Sequence, residues 1–464
     1  MNKSIKPFAL FLLLTLTSCG GQVIISSSSS EEKETNSSKE DEEKLKINQE
    51  VNLFTYTFPS LDRTTMSISG WCSPWSIGDK DYINQEQFAM IKEAGLNSIY
   101  GLYETAGSSM ANVKKALKLA EDNGLVYLPR DERVGALSED IDAFKEAMDE
   151  FTSYKSYGGS LITDEPALNK FQGLVSGRKA FRSYYSKYCY YVNLFPNYAT
   201  SDQLSGIAGQ PVSYEQYLES FLKTVQPQVL SFDFYGLRKE FPTISGGYFD
   251  QLYLASKLAN KYKVPFWPFI QAGSFDSWTV RVPTKVEIDW QIGSNLVYGA
   301  KGIQYFCYMT PYEVDDALWR GNFVNKNGEK TELFPYFQSI NKQIASMDEI
   351  LMISSRVALM QFGSSPAAFS NEQKAEFVTS FRELKNVDTE SDLLIGVFDH
   401  GGKSAYYVFN NSLTNKGKAK LNFSSYVRAN KYQNASIEEV KGSSLELDLE
   451  PGESILIDLL NYEN

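Results

Sequence analysis

From about residue 66 onward, short apolar runs alternate with amphipathic stretches in a steady phase. The runs are "MSISGWCSPW" (66–75), "LNSIYGLYE" (96–104), "GLVYLPRDE" (124–132), "GSLITDEP" (159–166), "YCYYVNLFPN" (188–197), "QVLSFDFYG" (228–236), "VPFWPFIQAG" (264–273) and "GIQYFCYM" (302–309). Between them, segments such as "YINQEQFAMIKEAG" and "SYEQYLESFLKTV" repeat apolar residues three and four apart, the period of an amphipathic helix. A strand–helix unit of about 30–40 residues, occurring eight times, predicts a (β/α)8 barrel. The competing arrangement is a doubly wound open sheet. No glycine-rich phosphate fingerprint follows the first run, and eight units suit a closed cylinder better.

After residue 350 the period changes. "RVALMQFG", "DLLIGVFDHG", "SAYYVFNNS", "GKAKLNFSS" and "SLELDLEPGESILIDLL" are short alternating or apolar runs broken by Gly, Asn and Ser. They predict a small antiparallel β-sandwich, with His400 on a surface turn. The expected organisation is a signal peptide over 1–18, a tether over 19–50, the barrel over 51–350 and the β-sandwich domain over 351–464.

The N-terminus pairs Lys3 and Lys6 with the apolar "FALFLLLTL", a core too short for a membrane span. "LTSC" behind it resembles the lipobox of bacterial lipoproteins, which implies cleavage before Cys19 and lipidation of its thiol. The resemblance implies a lipid-anchored, extracytoplasmic protein of the bacterial envelope, at the outer membrane or cell surface, touching the membrane only through that lipid. "SSSSSEEKETNSSKEDEEK" then has too little apolar surface to fold and reads as a spacer.

Composition narrows the chemistry. A net charge of −12 argues against nucleic acid as a partner. Aromatic residues make up 14% of the chain, which suits a cleft that stacks on flat, hydroxylated ligands. Cys72, Cys189 and Cys307 are isolated, without CxxC spacing, and His400 is the single histidine. Zinc sites and Ser-His-Asp or Cys-His mechanisms are therefore disfavoured, no metal or cofactor is called for, and acid–base work falls to carboxylates, Tyr or Lys. Nothing in the sequence fixes the oligomeric state.

In a (β/α)8 barrel the reactive groups sit at the C-terminal ends of the strands. There the sequence places Trp71 and Trp75, Tyr103 and Glu104, Arg130, Asp164 and Glu165, Asn193, Asp233 and Tyr235, Gln271, and Tyr308. Trp278 and Arg281, on the loop after the seventh run, are further candidates for ligand contact. Glu165 is expected to be the proton donor, with Asp164 and Asp233 as catalytic partners. The remaining strand-end residues (Trp71, Trp75, Tyr103, Arg130, Asn193, Tyr235, Gln271 and Tyr308) are expected to bind substrate.

With these residues in place, the chain resembles the (β/α)8 glycoside hydrolases that carry a trailing β-sandwich, such as the family-42 β-galactosidases. "TDEPA" resembles their strand-four motif ending in Glu-Pro, which implies that Glu165 is the general acid/base. "FWPFIQAG" falls where that clan carries its nucleophile, but this chain has Gln271, an amide that cannot attack as a carboxylate. Three readings remain open. Asp233 acts as nucleophile or as base for water. Alternatively, the Asp164-Glu165 pair serves a substrate-assisted N-acetylhexosaminidase, with Tyr235 holding the acetamido carbonyl. In the third, the chain is a glycan-binding lipoprotein that has lost catalysis.

Overall fold

The computed structural model describes residues 55–134, 139–240, 247–275, 280–314, 318–363 and 369–460. The signal peptide, the tether, Cys19 and Trp278 lie outside the described residues.

Eight parallel strands close into one barrel. They are β1 (Ser67–Gly70), β2 (Ser98–Thr105), β3 (Val126–Arg130), β4 (Gly159–Asp164), β5 (Cys189–Leu194), β6 (Leu230–Phe232), β7 (Phe266–Gln271) and β8 (Gly302–Phe306). Each pairs with its neighbours in sequence, and β1 closes the ring on β8 with Ser67 opposite Gly302. A helix follows every strand: α1 (Gln85–Glu93), α2 (Met110–Asp122), α3 (Ile141–Thr152), α4 (Val175–Tyr184), α5 (Tyr214–Thr224), α6 (Tyr248–Tyr262), α7 (Lys285–Val297) and α8 (Phe334–Ile353). Side-chain caps start α1, α3, α5 and α7. At α5 the Ser213 side chain accepts from the Gln216 N–H and the Gln216 side chain answers at the Ser213 N–H, so two donors otherwise orphaned at a helix start are satisfied.

The strands are shorter than the apolar runs that announced them. β6 ends at Phe232, yet the run continues through Asp233 to Gly236. The surplus residues leave the ladder and form the mouth of the barrel. The barrel interior is partly polar: Tyr100 and Tyr191 each donate to Gln304 Oε1 (2.6 Å each), and Gln304 Nε2 donates to Ser231 Oγ (2.9 Å) and to the Trp267 carbonyl (2.8 Å). Because the Gln304 amide and the two phenols on it are all paired, this part of the floor is rigid rather than costly.

The C-terminal region is antiparallel: β9 (Ser355–Phe362), β10 (Leu384–Asp388), β11 (Leu393–His400), β12 (Lys403–Asn410), β13 (Gly417–Gln433), β14 (Ser436–Leu449) and β15 (Ser454–Leu459). The hydrogen-bonded order is β9-β11-β12-β15-β13-β10, with β14 paired to β13. A register break between Asn422 and Val427 lets the two halves of β13 serve different neighbours, 420–423 with β10 and 429–432 with β15. The bent hairpin closes over a core of Leu393, Ile395, Tyr406, Val408, Ile455, Ile457, Leu421 and Leu447. The alternate side chains Leu394, Phe398, Tyr407, Phe409 and Leu456 join the barrel's own core. Both faces are thus buried, which explains why β11 and β12 read as continuous apolar runs. Contact with α7 is close: a Cβ on Gly293 would lie 2.5 Å from Phe409 Cδ2. The last barrel helix runs to Ile353, three residues past the expected boundary, and β9 begins at Ser355. His400 ends β11 instead of sitting free on a turn, with its Nε2 2.7 Å from Asp458 Oδ1. Among the described residues no helix is long and apolar enough to cross a membrane.

Candidate active site

The site begins with two glycines. Gly159 has φ +134°, and a Cβ there would stand 2.1 Å from the Cys189 carbonyl oxygen, so β4 and β5 meet at a distance only glycine permits. β4 then runs to Asp164, which pairs with Asn193 across the ladder. Glu165 follows at φ +45°, a left-handed conformation that a side-chain-bearing residue adopts at a cost of about 1–3 kcal/mol. The strained turn is pinned on both sides. The Glu165 N–H donates to the Asn193 carbonyl (2.9 Å), and the Pro166 carbonyl accepts from the Tyr217 hydroxyl (2.7 Å).

Asn193 organises the acids. Its Oδ1 accepts from Ser231 Oγ (2.9 Å), which fixes the amide so that Nδ2 faces the carboxylates. Nδ2 donates to Asp164 Oδ1 (3.1 Å) and Asp233 Oδ2 (3.4 Å), so those two oxygens are no farther apart than two hydrogen bonds laid end to end. Asp233 lies just past β6, is buried, and has its backbone carbonyl held by Gln251 Nε2 (2.7 Å). Its Oδ1 is shut away from water with no hydrogen-bond donor. Glu165 is half-buried, and its carboxyl is within hydrogen-bonding reach of the Asp233 carboxyl.

Three carboxyls in one concave mouth cannot all ionise easily. Desolvation raises Glu165 well above the usual carboxylate range, and the charges of Asp233 and Asp164 raise it further. Asp233 is raised well above its ordinary value by burial and then by Asp164, against the Asn193 amide. Asp164 is open to water at the rim, but the surrounding walls push it up to about 6, opposed by the Asn193 hydrogen bond and the Arg130 charge. A proton shared between Glu165 and Asp233 would relieve the repulsion between their carboxyls.

Around the acids, Tyr235 packs on Phe275 and Phe306 (ring centroids 5.2 Å from each), and Trp319 joins them at 5.2 Å from Phe275. Phe306 and Trp319 are half-buried, so this wall presents aromatic surface beside Asp233. Sequence reasoning missed Trp319, which sits on a loop after β8 without periodicity. It also missed Tyr198, whose half-buried hydroxyl accepts from the Tyr235 N–H (3.3 Å). At the rim, Arg130 Nε stands 3.6 Å from Glu132, and the Tyr103 hydroxyl bonds to Glu313 and accepts from the Tyr312 N–H (3.1 Å).

Several expected ligand contacts are interior instead. Trp75 is fully buried under Tyr82, Tyr103 and Tyr312, with its indole N–H given to the Thr310 carbonyl (3.2 Å). Tyr308 is fully buried against Phe323. Trp71 is 4% exposed and packs against Tyr100, Tyr191 and Phe269 as part of the floor. Gln271 is fully buried and committed: Oε1 accepts from the Leu237 N–H (3.1 Å), while Nε2 donates to the carbonyls of Leu237 (3.2 Å) and Arg281 (2.6 Å). It joins the loops after β6 and β7 rather than facing a ligand. Arg281 is likewise engaged, its guanidinium forked onto Glu287. Glu104 is buried with Oε1 accepting from the Ser76 N–H (2.8 Å), and burial pushes it up to about 7. Among the described residues no cluster of three or more His, Cys, Asp or Glu side chains is arranged to hold a metal ion.

No protein-family model matches the chain, and no curated protein matches it in sequence. Solved structures do match in fold. A catalytic mutant of Gan42B, a family-42 β-galactosidase from G. stearothermophilus, superposes with a TM-score of 0.58 at 8% identity, covering 88% of this chain and 100% of that one. The β-galactosidase of Bacillus circulans sp. alkalophilus gives 0.52 at 8% identity, covering 86% and 99%. A family-5 glycoside hydrolase from Bacteroides vulgatus gives 0.50 at 10% identity, covering 85% and 89%. The closed barrel with its trailing antiparallel sheet is therefore the fold of these glycoside hydrolases.

Proposed function

We propose that the chain hydrolyses a glycosidic bond in an oligosaccharide, polysaccharide or glycan, with Glu165 as the general acid. The observation that carries this reading is the Glu165 carboxyl itself, half-buried at the barrel mouth beside Asp233 and Asp164, its pKa raised first by burial and then by those two acids. Protonating the departing oxygen needs a carboxyl that still holds its proton near neutral pH. Asp164, the least raised of the three acids, then provides negative charge against the oxocarbenium character that develops at the anomeric carbon. Phe306 and Trp319 offer the apolar face of a sugar a surface to stack on.

A second reading, substrate assistance by a 2-acetamido group, is favoured by one feature. The Glu165 carboxyl lies within hydrogen-bonding reach of the Asp233 carboxyl, whereas a retaining or inverting pair holds its two carboxyls apart across the sugar, at ~5 Å or ~6.5–9.5 Å. With Gln271 engaged in loop contacts, an internal nucleophile on the substrate removes the need for a second enzyme carboxylate.

The test is a panel of aryl glycosides with and without a 2-acetamido group. Turnover that disappears in Glu165→Gln supports the enzyme, and turnover confined to 2-acetamido sugars selects substrate assistance. Saturable glycan binding with no turnover on any member would replace the enzyme reading with a binding protein. Attachment to the bacterial envelope through Cys19 forms part of the same proposal, tested by metabolic labelling with a palmitate analogue in wild type and Cys19→Ala.

A further inference from the structure

On the flank of the barrel, α4 and the turn that ends α5 enclose a groove of about 110 Å3. Val225 and Gln226 lead from α5 to the start of β6, so this groove lies toward the end of the barrel opposite the acid-lined mouth. Its lining includes Arg178, Lys179, Arg182, Thr224 and Gln226. Three cations in one recess run against the sign of a chain whose net charge is −12.

Arg178 is the informative member. It is only 8% exposed. Its Nε donates to the Gln226 carbonyl (2.8 Å), but its Nη1 is shut off from water with no acceptor. The groups whose charges act on it most are Cys189, Arg182, Tyr190 and Tyr56: a thiol and two phenols that are neutral at physiological pH, and one further cation. Burial pulls Arg178 below its usual range, and Arg182 adds to that. Arg182 lies beside it, with Nη1 on Gln226 Oε1 (2.6 Å). Among the described residues, none of the ion pairs involves Arg178, Lys179 or Arg182. A buried guanidinium without an anion is an unfavourable arrangement, because the desolvation is not recovered by pairing. An anion held in the groove would offset that charge at short range.

We infer that this groove binds a tetrahedral oxyanion, a phosphate or sulfate group, anchored by Arg178 and Arg182 with Lys179 at the rim. The planar fork of a guanidinium matches two oxygens of such a group. The space equals roughly three to four waters, which accommodates one such group and excludes a sugar ring. The anion arrives either free or as the phosphodiester of a lipid headgroup.

Calorimetric titration of the whole protein with inorganic phosphate and with sulfate, at constant ionic strength with chloride as reference, tests the site. The expected result is saturable one-to-one binding and a Tm raised above that in chloride. Affinity falls about tenfold or more in Arg182→Gln, an exposed position whose change leaves the fold intact, and falls further in Arg178→Met. Sedimentation with phosphatidylglycerol vesicles, against phosphatidylcholine, identifies the source. Vesicle binding lost in Arg182→Gln assigns a headgroup, and a response to inorganic phosphate alone assigns a free anion. The inference is overturned if phosphate, sulfate and anionic vesicles all behave as chloride and phosphatidylcholine do. It is equally overturned if Arg182→Gln and Arg178→Met bind undiminished.

Discussion

Replacing Gln271 by glutamate would seem to supply the carboxylate that the sequence resemblance implies at this position, and the structure argues for the opposite outcome. The wild-type amide gives two hydrogen bonds to carbonyl oxygens and accepts one from the Leu237 N–H, all buried. An ionised carboxylate retains only the accepted bond and turns its second oxygen toward the Leu237 and Arg281 carbonyls. Each buried polar group left unpaired costs about 1–3 kcal/mol, so Gln271→Glu should lose roughly 2–5 kcal/mol of stability at pH 8. The carboxyl introduced there has a folded pKa above its unfolded value of about 4.3, because the protonated form can still donate one bond. The pH-dependent part of its penalty is absent below the unfolded pKa and grows by about 1.4 kcal/mol per pH unit until the folded pKa is reached. Urea denaturation of wild type and Gln271→Glu between pH 4.5 and 8 should therefore show a gap that widens with pH at constant slope m. Turnover should weaken, with no trappable glycosyl-enzyme. A pH-independent gap, or a gain in activity with a covalent intermediate on the introduced side chain, would refute the reasoning.

The remaining predictions concern the acids and the aromatic wall. Asp233→Asn removes a charge that holds Glu165 protonated, so the basic limb of the pH–rate profile should move to lower pH. Trp319→Ala takes away stacking surface without touching the acids; KM should rise about tenfold while both limbs stay in place. Glu165 and Asp233 both have folded pKa values raised above their unfolded ones. The stability tied to their protonated forms is full below about pH 4 and is lost as pH rises through the folded values. The double variant Glu165→Gln with Asp233→Asn should accordingly be more stable than wild type at pH 8, with the difference shrinking toward pH 4 in thermal melts.

The phase of eight strands was legible because a parallel barrel buries both faces of each strand and so leaves plain apolar runs. Where each run leaves the ladder was not: Asp233 and Cys307 belong to the same apolar stretches as their strands, yet lie just beyond them. Position at a strand end also does not reveal which way a side chain turns. Trp75, Tyr308 and Gln271 sit at strand ends by number, but packing and backbone hydrogen bonds draw them inside. Conversely, Trp319 and Tyr198 reach the site from loops, where no period exists to read. Acids and a proline closing an apolar run also punctuate ordinary strand ends, so Asp164 and Glu165 stood out in the sequence only because polar or aromatic groups close all eight strands. The placement of Glu165 beside Asp233 depends on a positive φ and on the orientation of Asn193, and neither is written in residue order.

The sharpest measurement is the dependence of hydrolysis rate on the acidity of the leaving phenol, compared between wild type and Glu165→Gln. A proton donor at this position predicts a shallow dependence in wild type and a steep one in the variant, with dinitrophenyl glycosides nearly spared and poor leaving groups almost inert. Equal slopes in the two proteins would contradict it.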